Sequence, residues 1–307
     1  MTSMSETDLW IPVVLLAAAA QTVRNTAQRS LSNGLGTWPA TLVRFLYGLP
    51  FAALFLLLLY VLPEQAPAWP NFSWTYVGWI AFGALFQVGA TAALLLAMQS
   101  GNFAVAVTLS KTEVLQVVLF ASIVLAELPT PLQLAGALLA TLGVGLLSMP
   151  ADRQHWHWSH WLSRSSLYGL LCGACFALAT LGFRAGAVAL DAASPWLSGA
   201  WGVTLAQALQ SLLLGGWLFW SDRTGFMATL RSWRVSLLAG SMGALASLLW
   251  FSAYAMQTAG AVRALGMVEV LFGYLVSRRI LHESLRRTER WGMALVALAA
   301  VLICVGL

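Results

Sequence analysis

Three ionisable residues stand where charge is costly. Lys111 and Glu113 interrupt an apolar run from Phe103 to Ala126, and Glu269 interrupts a second such run 156 positions later (113 to 269). Charge at bilayer depth marks a substrate or ion pathway by default. A buried ammonium can receive the anionic group of a ligand, and a buried carboxylate can carry a coupling proton. The structural alternatives are an ion pair for Lys111 and, for the two glutamates, a brace between neighbouring helices. Lys111 is the single lysine of the chain, and Met267 takes its place in the second run. On a straight helix Lys111 and Glu113 differ by about 200°. Either that helix is distorted or one of the two packs between helices.

The two runs belong to a duplication. Ala97 to Leu115 reads AMQSGNFAVAVTLSKTEVL and Ala255 to Leu271 reads AMQTAGAVRALGMVEVL. Pro39 and Pro195, Glu127 and Glu283, and Gly136 and Gly292 keep the same offset of 156. The repeats define two halves, residues 1–150 and 151–307.

Further candidates line the apolar segments. Arg24 and Asn25 fall inside the first span, because Leu9 to Ala20 alone is too short to cross. Arg184 and Arg263 lie toward the outer ends of their spans and could form an anion gate or pair with Asp191. Gln87 can bind a ligand or hydrogen-bond a neighbouring helix. Trp250 and Tyr254, four apart, share a helix face and could stack on a cationic or aromatic group, or pack as core. His155 to Trp161, reading HWHWSHW, looks metal-like but sits where tryptophan belts anchor spans. No metal, cofactor or catalytic group is expected from the sequence.

The chain is 60% hydrophobic and 9% charged, with a mean hydropathy of +0.79, against about 25% charged in soluble domains. The sequence predicts an all-α integral membrane fold with ten transmembrane helices. They lie near 9–29, 38–62, 73–99, 102–126, 130–149, 165–188, 194–220, 233–257, 261–281 and 288–307. Five spans per repeat is odd, so the second repeat enters from the opposite face. The arginines agree. Loops 1–2, 5–6, 7–8 and 9–10 hold Arg29, Arg153, Arg164, Arg223, Arg231, Arg234, Arg278, Arg279, Arg286, Arg287 and Arg290, whereas loops 2–3, 4–5 and 6–7 hold no lysine or arginine. The positive-inside rule then places the arginine-rich loops in the cytoplasm and both termini outside. The hairpin AELPTPLQ has no basic residue and its mate HESLRRTE has two, the opposite bias that inverted repeats require. The net charge of +5 follows from topology, and no nucleic-acid partner is expected.

With five plus five spans, Pro39 followed by Arg44, and Glu127 followed by Gly136 (Glu283 and Gly292 repeating that pair), the chain resembles the drug/metabolite transporter superfamily. Within it, the likeness is to the ten-helix bacterial members built from two EamA-type repeats. Arg44 departs from the symmetry, since Ala200 is its mate. The resemblance implies a central cavity lined by spans 1, 3, 4, 6, 8 and 9, alternating access, a bacterial inner-membrane location and secondary transport of a small metabolite.

The excess of Lys111, Arg24, Arg184 and Arg263 over Glu113 and Glu269 favours a substrate with an anionic group, such as an amino acid or related zwitterion. Family likeness favours export. The partners expected are that small molecule, the lipid bilayer and protons as a coupling ion, with a monomer or weak dimer as the assembly. The alternatives are a proton-coupled exporter of cationic drugs or amines, which would use Glu113, Glu269 and Trp250, a membrane-embedded enzyme, and a non-transporting accessory protein.

Overall fold

The computed structural model describes residues 9–99, 109–147, 164–274 and 287–306. They form helices α1 (Trp10–Leu35), α2 (Thr37–Leu46), α3 (Leu49–Val61), α4 (Trp74–Gln99), α5 (Glu113–Val124), α6 (Pro131–Leu147), α7 (Arg164–Ala189), α8 (Pro195–Ser221), α9 (Arg223–Arg231), α10 (Trp233–Met256), α11 (Ala259–Gly266) and α12 (Arg287–Val305). Short helical pieces at 109–110 and 269–274 add to these. Among the described residues, six helices are long and apolar enough to cross a membrane: Thr37–Val61 counted through its kink, Trp74–Leu94, Ser166–Ala189, Pro195–Ser221, Ser236–Met256 and Arg287–Val305. Leu57, Ile123, Leu142, Leu212, Leu298 and Val301 all remain exposed. An apolar exterior of this extent is what a lipid-facing helix bundle presents. The chain is a multi-pass membrane protein.

Local chemistry explains where the helices depart from ten uniform spans. The sequence ends the first span near residue 29, but α1 continues to Leu35 and stops at Gly36, whose φ of 78° favours glycine. No proline or glycine interrupts Ala20 to Asn33, so polarity alone does not end the helix. Span 2 is two helices. Pro50 lacks an N–H and its ring crowds the carbonyl four residues back, so the helix breaks at Tyr47–Gly48. Pro39 and Pro195 both sit in a first helical turn, and Ser194 caps α8 by accepting from the Leu197 amide at 3.2 Å. The expected loop between spans 7 and 8 holds α9, capped by Asp222, whose Oδ1 accepts from the Gly225 amide at 2.9 Å. The histidine-tryptophan stretch, Glu283, Arg278 and Arg279 lie outside the described residues.

Two compact units cut across the sequence halves. One comprises Met1–Val88 and Gly182–Gln257, the other Gly89–Leu181 and Thr258–Leu307. The first unit packs α1 on α10, α10 on α8, and α2 and α3 on α8. Gly182 allows close approach there: a Cβ on it would meet the Gly83 backbone nitrogen at 2.8 Å.

The second unit is centred on α6 against α12. A Cβ on Gly136 would lie 3.1 Å from the Ala299 carbonyl and 2.6 Å from Ile303. One on Gly292 would lie 2.7 Å from the Gly143 carbonyl and 2.8 Å from Leu147. Adding 156 to 136, 143 and 147 gives 292, 299 and 303, so this contact set maps onto itself. The pairing of 136 with 303 and 147 with 292 makes the two helices antiparallel.

Gly292→Leu should force α6 and α12 apart, costing about 1–3 kcal/mol and lowering the thermal midpoint of the purified protein. Gly78 has open space around it, and Gly78→Ala should leave the midpoint unchanged or raise it slightly. Equal midpoints for Gly292→Leu and wild type would contradict the close packing.

Candidate functional site

The second unit resolves the geometry around Lys111 and Glu113. The helix of span 4 breaks at Lys111–Thr112 and resumes at Glu113. The Thr112 amide donates to the Leu109 carbonyl at 3.2 Å, an i to i−3 bond, and the Thr112 hydroxyl donates to the same carbonyl at 2.6 Å. Gln116 Nε2 then donates to Thr112 Oγ1 at 2.9 Å. The threonine hydroxyl thus occupies the carbonyl that a continuous helix would offer to residue 113. Of the two arrangements open from the sequence, the helix is distorted.

The second repeat breaks at the equivalent place. Turn residues Met267 and Val268 follow α11, with the Met267 amide donating to Ala264 at 3.3 Å and the Val268 amide to Leu265 at 3.1 Å. The helix resumes at Glu269, which is half-buried. Each glutamate therefore opens the second half of a broken helix.

Arg263 and Glu113 form a salt bridge, with side-chain exposures of 17% and 5%. Arg263 occupies the last turn of α11 and Glu113 the first turn of α5. Helix ends carry partial charges, negative at the C-terminus and positive at the N-terminus. Each ion is thus stabilised by its own half-helix as well as by its partner. The apolar cluster of Val117, Ala121, Ala177, Leu181 and Ala259 belongs to the same unit, and low local polarity strengthens such a pair. Glu127 acts beside it: its Oε2 accepts from the Ala259 amide at 3.0 Å and caps the start of α11. Lys111 is half-buried and has no hydrogen bond or ion pair among the described residues.

The first unit holds Arg24, Gln87, Arg184, Trp250 and Tyr254. Arg24 is 5% exposed, and its Nε and Nη2 donate to Asn25 Oδ1 at 3.1 and 2.7 Å. Trp250 and Tyr254 stack with centroids 6.4 Å apart, both buried. The Trp250 indole donates to Gln21 Oε1 at 3.0 Å. Phe251 packs on Phe183 at 4.3 Å. Gln210, 1% exposed, donates through Nε2 to Gln87 Oε1 at 2.7 Å and to the Ala84 carbonyl at 3.2 Å.

No ion pair between Arg184 and Asp191 is present among the described residues, and the Asp191 backbone forms an isolated antiparallel bridge with Asn71. Arg184 Nη1 donates to the Tyr254 carbonyl, one of the last carbonyls of α10 that no helical amide follows. Its charge sits at the negative end of that helix. Arg263 lies near the start of its span, in α11, and is engaged there by Glu113 within the second unit. The sequence also overlooked Gln21, Gln207 and Gln210. The last two stand three apart in an apolar stretch, a signal that was available.

Comparison with known proteins agrees with this picture. A model of the EamA-like transporter family matches residues 8–149. No curated protein matches. A protein of known crystal structure, 15% identical, superposes with a TM-score of 0.68 over 95% of this chain and 97% of that one, which shows a shared fold. Over residues 8–149, just under half of its length, the chain is similar to the EamA-like transporter family.

Proposed function

We propose that the protein is a ten-span secondary transporter that exports an amino acid or related zwitterion from the cytoplasm by alternating access, with no chemical step. Its halves, 1–150 and 151–307, are inverted repeats. The self-mapping antiparallel contact of α6 with α12 and the matched breaks at 111–112 and 267–268 support that arrangement.

The observation that carries the substrate class is the state of Lys111. Its ammonium stands at a helix break in an apolar span with no partner among the described residues. The nearest carboxylate in sequence, Glu113, is held by Arg263. An anionic ligand group would supply what the ammonium lacks. The cationic-drug alternative needs Glu113 accessible and Trp250 available for stacking. Glu113 is ion-paired and Trp250 is 6% exposed with its indole bonded to Gln21. Both features weigh against it.

Lys111→Met copies the residue of the second repeat, so the fold should tolerate it. A thermal-shift screen of zwitterions and amines should identify a stabilising zwitterion for wild type. The variant should keep its midpoint and lose affinity by about 10- to 150-fold, matching roughly 1.5–3 kcal/mol for a hydrogen bond to a charged group. Selective stabilisation by amines, or unchanged affinity in the variant, would overturn the assignment.

The reading places the protein in a bacterial inner membrane with both termini outside. In a background lacking native cysteines, Ala68→Cys should react with impermeant maleimide in intact cells, and Thr224→Cys only after permeabilisation. Both positions are exposed. Labelling of both from one side, or of Thr224→Cys alone in intact cells, would reverse the orientation.

A further inference from the structure

The surface formed by the end of α8, α9 and the start of α10 combines three features. Arg223, Arg231 and Arg234 are exposed, and none of them makes an ion pair among the described residues. The carboxylate between α8 and α9, Asp222, is already used as the cap of α9. Large apolar groups stand open beside the guanidinium groups: Trp220 at 88%, Trp217 and Trp233 at 49%, with Met227 and Leu230 also exposed.

Two guanidinium groups are laid on rings. Arg223 lies 5.3 Å from the Phe219 centroid and Arg234 lies 5.3 Å from the Trp233 centroid. A guanidinium over a ring keeps its edge donors free for an oxyanion. The platform is fixed in place from below. The Tyr47 hydroxyl, at the kink of span 2, donates to the carbonyls of Thr229 and Leu230 at 3.2 and 3.0 Å. Thr229 is fully buried against Pro39. Helix α9 therefore joins two membrane-crossing helices while showing arginine and exposed apolar side chains outward. Arg223 and Arg231 lie about 12 Å apart along its axis, a span that separate headgroups can bridge.

We propose that this surface is a binding site for anionic phospholipid headgroups, with Arg223, Arg231 and Arg234 contacting the phosphates and Trp217, Trp220 and Trp233 seated at the headgroup level. Uncompensated arginines next to exposed tryptophans complement an anionic membrane surface and not a soluble anion.

The test measures lipid retained by the protein, purified in mixed micelles of phosphatidylglycerol and phosphatidylcholine and read by native mass spectrometry. Wild type should prefer phosphatidylglycerol, by about five-fold for each arginine in contact, and lose that preference as salt rises. R223Q/R231Q/R234Q should lose most of the preference. R164Q/R287Q/R290Q, which removes equal charge elsewhere, should keep it. Equal retention of the two lipids by wild type, or equal loss in both triple variants, overturns the site. Glycerol phosphate without acyl chains should not displace the lipid at matched concentration. Displacement would identify a free-phosphate site and overturn the membrane assignment. Should the first triple variant fail to elute as a folded species, the wild-type lipid ratio, its salt dependence and the glycerol phosphate competition still decide.

Discussion

The salt bridge between Arg263 and Glu113 is the interaction on which the second unit depends. Both ions are largely buried, and an isolated charge in such a place costs several kcal/mol. Each belongs to a half-helix whose continuity is lost at a break, so backbone hydrogen bonding alone cannot fix the break. The ion pair ties the end of α11 to the start of α5, and Glu127 ties the start of α11 to the turn before α6. With Glu113 engaged in this way, the proposed function assigns the ligand's anionic group to Lys111.

The symmetry of the second unit sharpens the contrast. Gly136, Gly143 and Leu147 have their counterparts in Gly292, Ala299 and Ile303, and the packing repeats with them. The helix breaks repeat as well. The charges do not: Met267 replaces Lys111, and Val107 stands where the first repeat would need a mate for Arg263. The second unit thus combines packing symmetry with charge asymmetry.

Much of this could be read from residue types and spacing. The offset of 156 located the paired glutamates, the first-turn prolines and the close glycines before any geometry was known. The angular conflict between Lys111 and Glu113 forced a choice between a bent helix and a buried side chain, although it could not choose. The Thr112 hydroxyl settled it, through a local bond that propensity does not reveal. The partner of Arg263 was not legible, because Glu113 lies 150 residues away (113 to 263) and only tertiary packing brings them together. The bond of Arg184 to the Tyr254 carbonyl was hidden too, because the sequence does not fix the end of α10 at Met256 closely enough to show which carbonyls it leaves open. The kink at Pro50 needed only the proline rule, whereas helix α9 needed Asp222 to be recognised as a cap and not as one more loop charge.

A double-mutant cycle on Glu113 and Arg263 tests the central claim most directly. Unfolding free energies would be measured for wild type, Glu113→Gln, Arg263→Met and the combination. Each single change strands the opposite charge and should cost about 3–5 kcal/mol. The double variant should cost far less than the two together, because it leaves no orphaned ion. Additivity within about 0.5 kcal/mol would show that the two residues act independently, and the account of the broken helices would fail.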